Sequence, residues 1–391
     1  MKELQEILEA YEAVKKAESK AKLATIVKVK GSAFRRPGAR MLIRDDGTSV
    51  GTLSSGCLEA DVIERSKKMA DSCDAITVTY DTNSQQDDLW GLNLGCGGVI
   101  QILLESLPLS AGSPHLRFLS ECISARTSGV IASVFRVEGE LKVSVGSHLF
   151  LAENGRITED VRNPVLTAAL TEDCLKALQK KSSYDREYRF TEGVAEVLIE
   201  FVRPPLPMII FGAGTDAVPL ARMADDIGWT VTIVDHRPAF IDKTRFATAH
   251  HRILARPEEV SEKVTLTSST VAVVLTHDFS HDLQVLRTLL PSQVSYIGLL
   301  GPAKRAELLL EKLKEEGFRP TPQQLSRLHA PVGLNIGAES PEELALSILS
   351  EIQAYMNGRS AGFLRDHPGP IHSEKQCTIW SFGFRVSNWL Y

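Results

Sequence analysis

The chain has 391 residues, 43% of them hydrophobic and 24% charged, with 44 Lys and Arg against 49 Asp and Glu for a formal net charge of −5. That length exceeds one small core and points to two domains. The charge balance gives no electrostatic reason for nucleic acid or an anionic membrane as partner. No stretch approaches the ~20 apolar residues of a membrane helix, and the charged N-terminus MKELQEILEAYEAVKKAESKAK lacks the apolar core of a secretory signal, so the expected location is the cytoplasm.

Residues 2–17 carry Leu4, Ile7, Leu8, Tyr11 and Val14 at helical spacing and predict an amphipathic helix. LATIVKVKGSAF and ARMLIRDDGTSVGTL alternate and are rich in β-branched residues, and Asp45-Asp46-Gly47 signals a hairpin. SGCLEADVIERSKKMADSC reads as a helix entered from a Ser/Gly loop, and AITVTYD and GGVIQILLES as strands. Residues 115–126 read as a helix; GVIASVFRVE and LKVSVGSHLFLAENGRI read as strands, and EYRFTEGVAEVLIEFV as two more. This part is α+β with a largely antiparallel sheet. RPPLP at 203–207 has three prolines in five residues, a stiff connector, and marks the expected boundary between domains 1–203 and 204–360.

The second part alternates apolar strands (MIIFGAG, WTVTIVDHR, TVAVVLTHD, VSYIGLL) with helices (TDAVPLARMADDIG, about 280–290, PAKRAELLLEKLKEEG). That alternation predicts an α/β, doubly wound parallel sheet of Rossmann-like form. A last helix opens at GAESPEEL, with Ser340 as cap, Pro341 in the first turn and Glu343 closing a capping box. Residues 361–391 form an irregular tail without periodicity.

Six cysteines (Cys57, Cys73, Cys96, Cys122, Cys174, Cys377) contain no C-x-x-C pair, so neither a zinc ribbon nor a disulfide framework is expected. Cys73, Cys122 and Cys174 fit small buried hydrophobes. Cys57 and Cys96 instead sit in Gly/Ser-rich loops, Cys96 among Gly91, Gly95, Gly97 and Gly98. FGAGTDA follows a strand and opens a helix, the context of a phosphate or dinucleotide turn, with Gly212 turning, Gly214 allowing close approach and Ala217 in the third position. Asp235 ends the next strand, where a ribose hydroxyl is often held. IGLLGPAKR is a second such turn, with Gly298 and Gly301 followed by Lys304 and Arg305. In THDFSHD, His277 and His281 admit a metal pair, but the favoured reading is a loop in which Ser280 or Asp278 caps the next helix; no metal ligand set is assigned.

GSAFRRPGARMLI, GTLSSGCLEADV, LWGLNLGCGG, IIFGAGTDAVPLARMADDIGWTVTIVDHRP, THD, YIGLLGPAKR and LHAPVGLNIGAESPEELALSILSEI, in that order, resemble the XdhC/CoxI family over roughly residues 1–360. Ser55 and Thr215 stand where that family usually has glycine and, in many members, histidine. The resemblance implies an accessory factor that binds molybdenum cofactor, a pterin dithiolene bearing phosphate or, as a dinucleotide, a nucleotide, and protects it. A cysteine desulfurase then supports its sulfuration, and the factor inserts it into an apo molybdenum hydroxylase such as xanthine dehydrogenase. It implies Cys57 and Cys96 as the candidate catalytic thiols, near molybdenum or the incoming sulfide. Arg35, Arg36 and Arg40, with backbone at Gly56, Gly95, Gly97 and Gly98, would contact the cofactor. A homodimer through sheet edges is a further expectation. Two alternatives stay open: an NAD(P)-dependent oxidoreductase using Gly212, Gly214, Asp235 and His277, and a nucleotide-sensing regulatory module without chemistry.

Overall fold

The computed structural model describes residues 2–31, 35–54, 56, 58–69, 75–81, 98–107 and 112–366. The chain divides into two compact units between Pro204 and Pro205.

In the first unit the elements run α1 (Lys2–Lys16), β1 (Ala21–Gly31), β2 (Arg40–Arg44), β3 (Ser49–Gly51), α2 (Glu59–Lys68), β4 (Ala75–Asp81) and β5 (Gly98–Leu107). Then come α3 (Pro114–Ala125), β6 (Gly129–Gly139), β7 (His148–Ala152), β8 (Ile157–Glu159), α4 (Pro164–Lys180), β9 (Tyr184–Phe190) and β10 (Gly193–Val202). They form two five-stranded sheets, ordered β3-β2-β1-β5-β4 and β8-β7-β6-β10-β9, and every pairing is antiparallel. The sequence pattern predicts one largely antiparallel sheet where the structure has two. Period-two patterning tells which face of a strand is buried but not which strand it pairs with.

The Gly47 turn closes β2 onto β3 with a left-handed φ of 83°, as the Asp-Gly signal predicts. Val27, Leu103, Phe135 and Leu198, one from each of β1, β5, β6 and β10, form a buried cluster that joins the two sheets. Helix α4 is not among the predicted elements. Asn163 caps it, accepting from the Leu166 N–H at 3.0 Å, and Leu166, Leu170, Cys174 and Ala177 bury its inner face against the second sheet. LKVSV lies outside the strands; only HLFLA of that stretch forms β7.

The second unit runs β11 (Pro207–Phe211), α5 (Ala217–Asp226), β12 (Thr230–Asp235), β13 (His251–Leu254), α6 (Val260–Lys263), β14 (Val271–Val274), α7 (Phe279–Leu289), β15 (Tyr296–Leu299), α8 (Ala303–Glu315), α9 (Pro322–Leu325), β16 (Leu328–His329) and α10 (Pro341–Met356). Its sheet is six-stranded and parallel, in the order β13-β12-β11-β14-β15-β16, with buried apolar clusters on both faces. This is the expected doubly wound sheet. The edge strands β13 and β16 are additions to the predicted set, since HRIL and LH lack the buried apolar run that marks the inner strands. Strand order reverses between β11 and β14, so the loops after them flank the crevice of the sheet. Ser340, Pro341 and Glu343 open α10 with the predicted capping box. Among the described residues, no helix is long and apolar enough to cross a membrane.

Candidate functional site

Cys57, Gly95, Cys96 and Gly97 lie outside the described residues. What surrounds them in sequence can be placed. Gly56 adopts a φ of 105°, and nothing lies within 4 Å of where a Cβ would stand, so its backbone is open on that side. Gly98 is the first residue of β5, opposite Gly31 of β1. Arg35 is tied to α1 through Glu3 and donates to the Thr52 hydroxyl at 3.3 Å. Arg36 is exposed.

Arg40, expected as a cofactor contact, is buried among partners of its own unit. Its side chain is 4% exposed, and its guanidinium is engaged from inside the unit. Nη1 donates to Glu200 Oε1 at 2.9 Å and to the Gly38 carbonyl at 2.7 Å, while Nη2 meets Glu200 Oε2 and His115 Nε2 at 3.0 Å. Guanidinium only donates, so His115 Nε2 accepts and its proton sits on Nδ1, 3.5 Å from Glu105 Oε2. Glu105 Oε1 in turn meets His148 Nε2 at 2.7 Å, and His148 Nδ1 reaches the Ser133 hydroxyl at 3.0 Å.

Burial opposes charge on all three titratable groups, and their neighbours decide the outcome. His115 is pushed down to about 4 by burial and by the Arg40 charge, so it is neutral. Burial would lower His148 too, but the Glu105 carboxylate outweighs it and raises the imidazole. Burial would raise Glu105, yet the His148 charge and the flanking histidines hold it below the usual carboxylate range. The network therefore holds Arg40 against Glu200 and His148 against Glu105, with no net charge. Donor atoms of Glu105, His115 and His148 lie within 4.8 Å of one another, a metal-like spacing. A cation on His115 Nδ1 would turn the Nε2 proton onto the Arg40 donor, so protons fit this network better than a metal ion does. No sequence signal points to it: its members come from separate elements without a spacing motif. The one local sign is a carboxylate within the apolar strand GVIQILLESL.

In the second unit, Gly212 has a φ of 104°, and a Cβ there would lie 2.4 Å from the Leu275 carbonyl oxygen, so the turn requires glycine to pass the end of β14. Gly214 is roomier, its nearest neighbour being the His277 ring at 3.8 Å. Asp235 ends β12 as expected, but its carboxylate is fully used. Oδ2 accepts from the Ala213 N–H at 2.7 Å and Arg237 Nη2 at 2.8 Å; Oδ1 accepts from the Arg237 N–H at 2.8 Å and Nε at 3.0 Å. Burial would raise this carboxyl, but the Arg237 and Ala213 bonds bring it down to about 2. With four hydrogen bonds and a side chain 2% exposed, it has no lone pair left for a ribose diol.

Gly298 lies inside β15, where a Cβ would meet Val332 Cγ2 at 2.5 Å, so it serves packing. Gly301 turns with a φ of 122° against the Arg305 side chain. Arg305 does not oppose the helix unpaired: Nε and Nη2 bind Asp282 Oδ2 at 3.0 and 2.7 Å. Asp278 caps α7, accepting from the His281 N–H at 2.9 Å, as the favoured reading of THDFSHD has it. The two histidines diverge: His277 pairs with Asp216 at 3.3 Å, and the His281 ring packs edge-on against His236 with centroids 4.6 Å apart.

The model of the XdhC and CoxI family matches residues 15–81, and that of the XdhC Rossmann domain matches residues 208–352. The chain is 34% identical over 335 residues to a Bacillus subtilis protein named as a probable xanthine dehydrogenase subunit, covering 86% of this chain and 93% of that one. The chain belongs to the XdhC and CoxI family.

A further relative of this XdhC and CoxI family chain is the molybdenum cofactor insertion chaperone PaoD of Escherichia coli, 25% identical over 85% of this chain and 82% of that one. A crystal structure described as a xanthine dehydrogenase from Bacillus halodurans superposes with a TM-score of 0.72 at 28% identity, covering 93% of this chain and 98% of that one. The XdhC and CoxI match contains Arg35, Arg36, Arg40, Gly56 and Cys57; the XdhC Rossmann match contains Gly212, Gly214, Asp235, Gly298 and Gly301. Cys96 falls in neither stretch.

Proposed function

We propose that this protein is an accessory factor of a xanthine dehydrogenase-type molybdenum hydroxylase, which carries molybdenum cofactor as cargo and delivers it. The observation that carries this reading is the near full-length similarity to a relative whose name ties it to xanthine dehydrogenase, supported by the relative named as a cofactor insertion chaperone. The cargo is a flat, anionic heterocycle. Arg35 and Arg36 suit its phosphate and carbonyl groups, because guanidinium donates in pairs to planar acceptors. The backbone at Gly56, open where a Cβ would stand, leaves room for the cargo to approach beside Cys57. Cys57 and Cys96 supply soft sulfur, in thiolate form, near the metal or the sulfide that joins it. Arg40 takes no part in contact; it holds the loop that presents Arg35 and Arg36.

Delivery requires an apo-hydroxylase as partner, and sulfuration requires a cysteine desulfurase. The cytoplasm is the compartment where both thiols stay reduced. Residues 1–203 form the cargo-handling domain, 204–360 the Rossmann-like domain and 361–391 a tail. The test is reconstitution: apo-hydroxylase, cofactor source and desulfurase are mixed with and without this protein, and hydroxylase turnover is measured. The wild-type chain raises the active fraction, while Cys57→Ala and Cys96→Ala lower it about tenfold. Full activation by both variants removes the thiols from the mechanism, and no activation by the wild type removes the carrier role.

A further inference from the structure

The saturated carboxylate of Asp235 leaves a question at the tip of β12: what the crevice recognises there, if not a ribose diol. Arg237 Nη1 has no partner among the described residues, while Nε and Nη2 are spent on Asp235. The Arg237 guanidinium carbon stands 3.9 Å from the centroid of the Phe240 ring. The same ring carries a second guanidinium, that of Arg245, 5.0 Å from its centroid. Among the described residues Arg245 has neither an ion-pair nor a hydrogen-bond partner. The neighbouring carboxylate, Asp242, is taken by the Thr244 N–H and hydroxyl at 2.6 and 2.9 Å.

Two guanidinium groups thus share one aromatic ring, and across residues 235–245 Arg237, Lys243 and Arg245 exceed the carboxylates of Asp235 and Asp242 by one positive charge. Like charges held together on an aromatic ring leave a local positive field that an anion would relieve. In a doubly wound sheet, the end of the second strand faces the ribose of a bound nucleotide, and an arginine there accommodates a phosphate on the ribose. Asp235 follows Gly214 by about 20 residues, the usual separation.

We propose that the tip of β12 binds the phosphate of a nucleotide phosphorylated on its ribose, with Arg237 and Arg245 as its donors. Asp235 acts as a positioning residue, fixing the glycine turn through Ala213 and aiming Arg237, and the neutral diol is the disfavoured ligand. All of these residues lie in the second unit, so the inference is independent of the carrier reading above.

The test is calorimetric titration of the full-length protein with adenosine 2′,5′-bisphosphate, 5′-AMP and inorganic phosphate. The bisphosphate binds at least tenfold tighter than 5′-AMP. Arg245→Ala, which leaves the Asp235 clamp untouched, reduces that preference several-fold with an unchanged melting temperature as the folding control; Arg237→Lys reduces it as well, with a lower melting temperature from the bonds lost to Asp235. Equal or tighter binding of 5′-AMP, absence of bisphosphate binding, or a preference that survives both substitutions overturns the proposal. So does displacement of the bisphosphate by inorganic phosphate at equal concentration, which marks a site for the free anion instead.

Discussion

Arg40 and Glu200, 160 residues apart in sequence, meet inside the first unit as a two-pronged ion pair. The pair also shapes the loop before β2. Arg40 holds the Gly38 carbonyl, and a Cβ on Gly38 would stand 2.8 Å from Glu200 Oε1 at a backbone φ of 94°. Removing one partner strands the other's charge. Glu200→Ala is therefore expected to destabilise the first unit by about 3–5 kcal/mol, whereas replacing both residues by apolar ones of similar size costs far less. Urea unfolding of the two variants measures the difference; equal losses refute the coupling.

The neighbouring histidines set opposite pH limits. His148 is raised, so its stabilisation is whole below the unfolded value of about 6.5 and is lost as pH climbs through its higher folded value. His115 is depressed to about 4, so the unfolded chain takes up its proton first and stability falls as pH drops from about 6.5 toward 4. Melting temperature against pH should peak near neutrality. His148→Asn should flatten the alkaline limb alone; an unchanged limb would count against the Glu105 pairing.

Two thiols are predicted to be inert. Burial pushes the Cys122 thiol up to about 11 and the Cys174 thiol up to about 12. Iodoacetamide at neutral pH, followed by peptide mass mapping, should leave both unlabelled until denaturant is added. Rapid labelling of either in the folded protein contradicts their packing.

Asp235 clamps the glycine turn with charge-assisted bonds, each worth about 1.5–3 kcal/mol. Asp235→Ala should lower the stability of the second unit by at least one such bond and speed hydrogen exchange at Ala213. The clamp should also weaken as acid approaches a pH of about 2, where the carboxylate takes its proton. Exchange protection at Ala213 that survives the substitution would show that the turn stands without it.

Legibility in the sequence follows the range of the signal. Local chemistry is readable: the Gly47 hairpin, the Ser340 cap and the alternation behind the parallel sheet each depend on residues within a few positions of one another. Distant pairing is not. Arg40 sits in a Gly/Pro-rich stretch that suggests an exposed loop, and nothing near it announces Glu200. Asp235 stands at the strand end that the pattern predicts, but its occupation by Arg237 and Ala213 depends on side-chain direction and on a turn brought in from 22 residues upstream. His115 and His148 carry no motif, because a network held by protons needs no fixed spacing.

The balanced interior of the first unit bears on how this lineage can change. Swapping one member of the Arg40–Glu200 couple leaves an orphan ion in the core, so drift by single steps passes through poorly folding ancestors. Positions 40 and 200 should accordingly turn over together when related genes are aligned, as a joint inheritance rather than two separate ones.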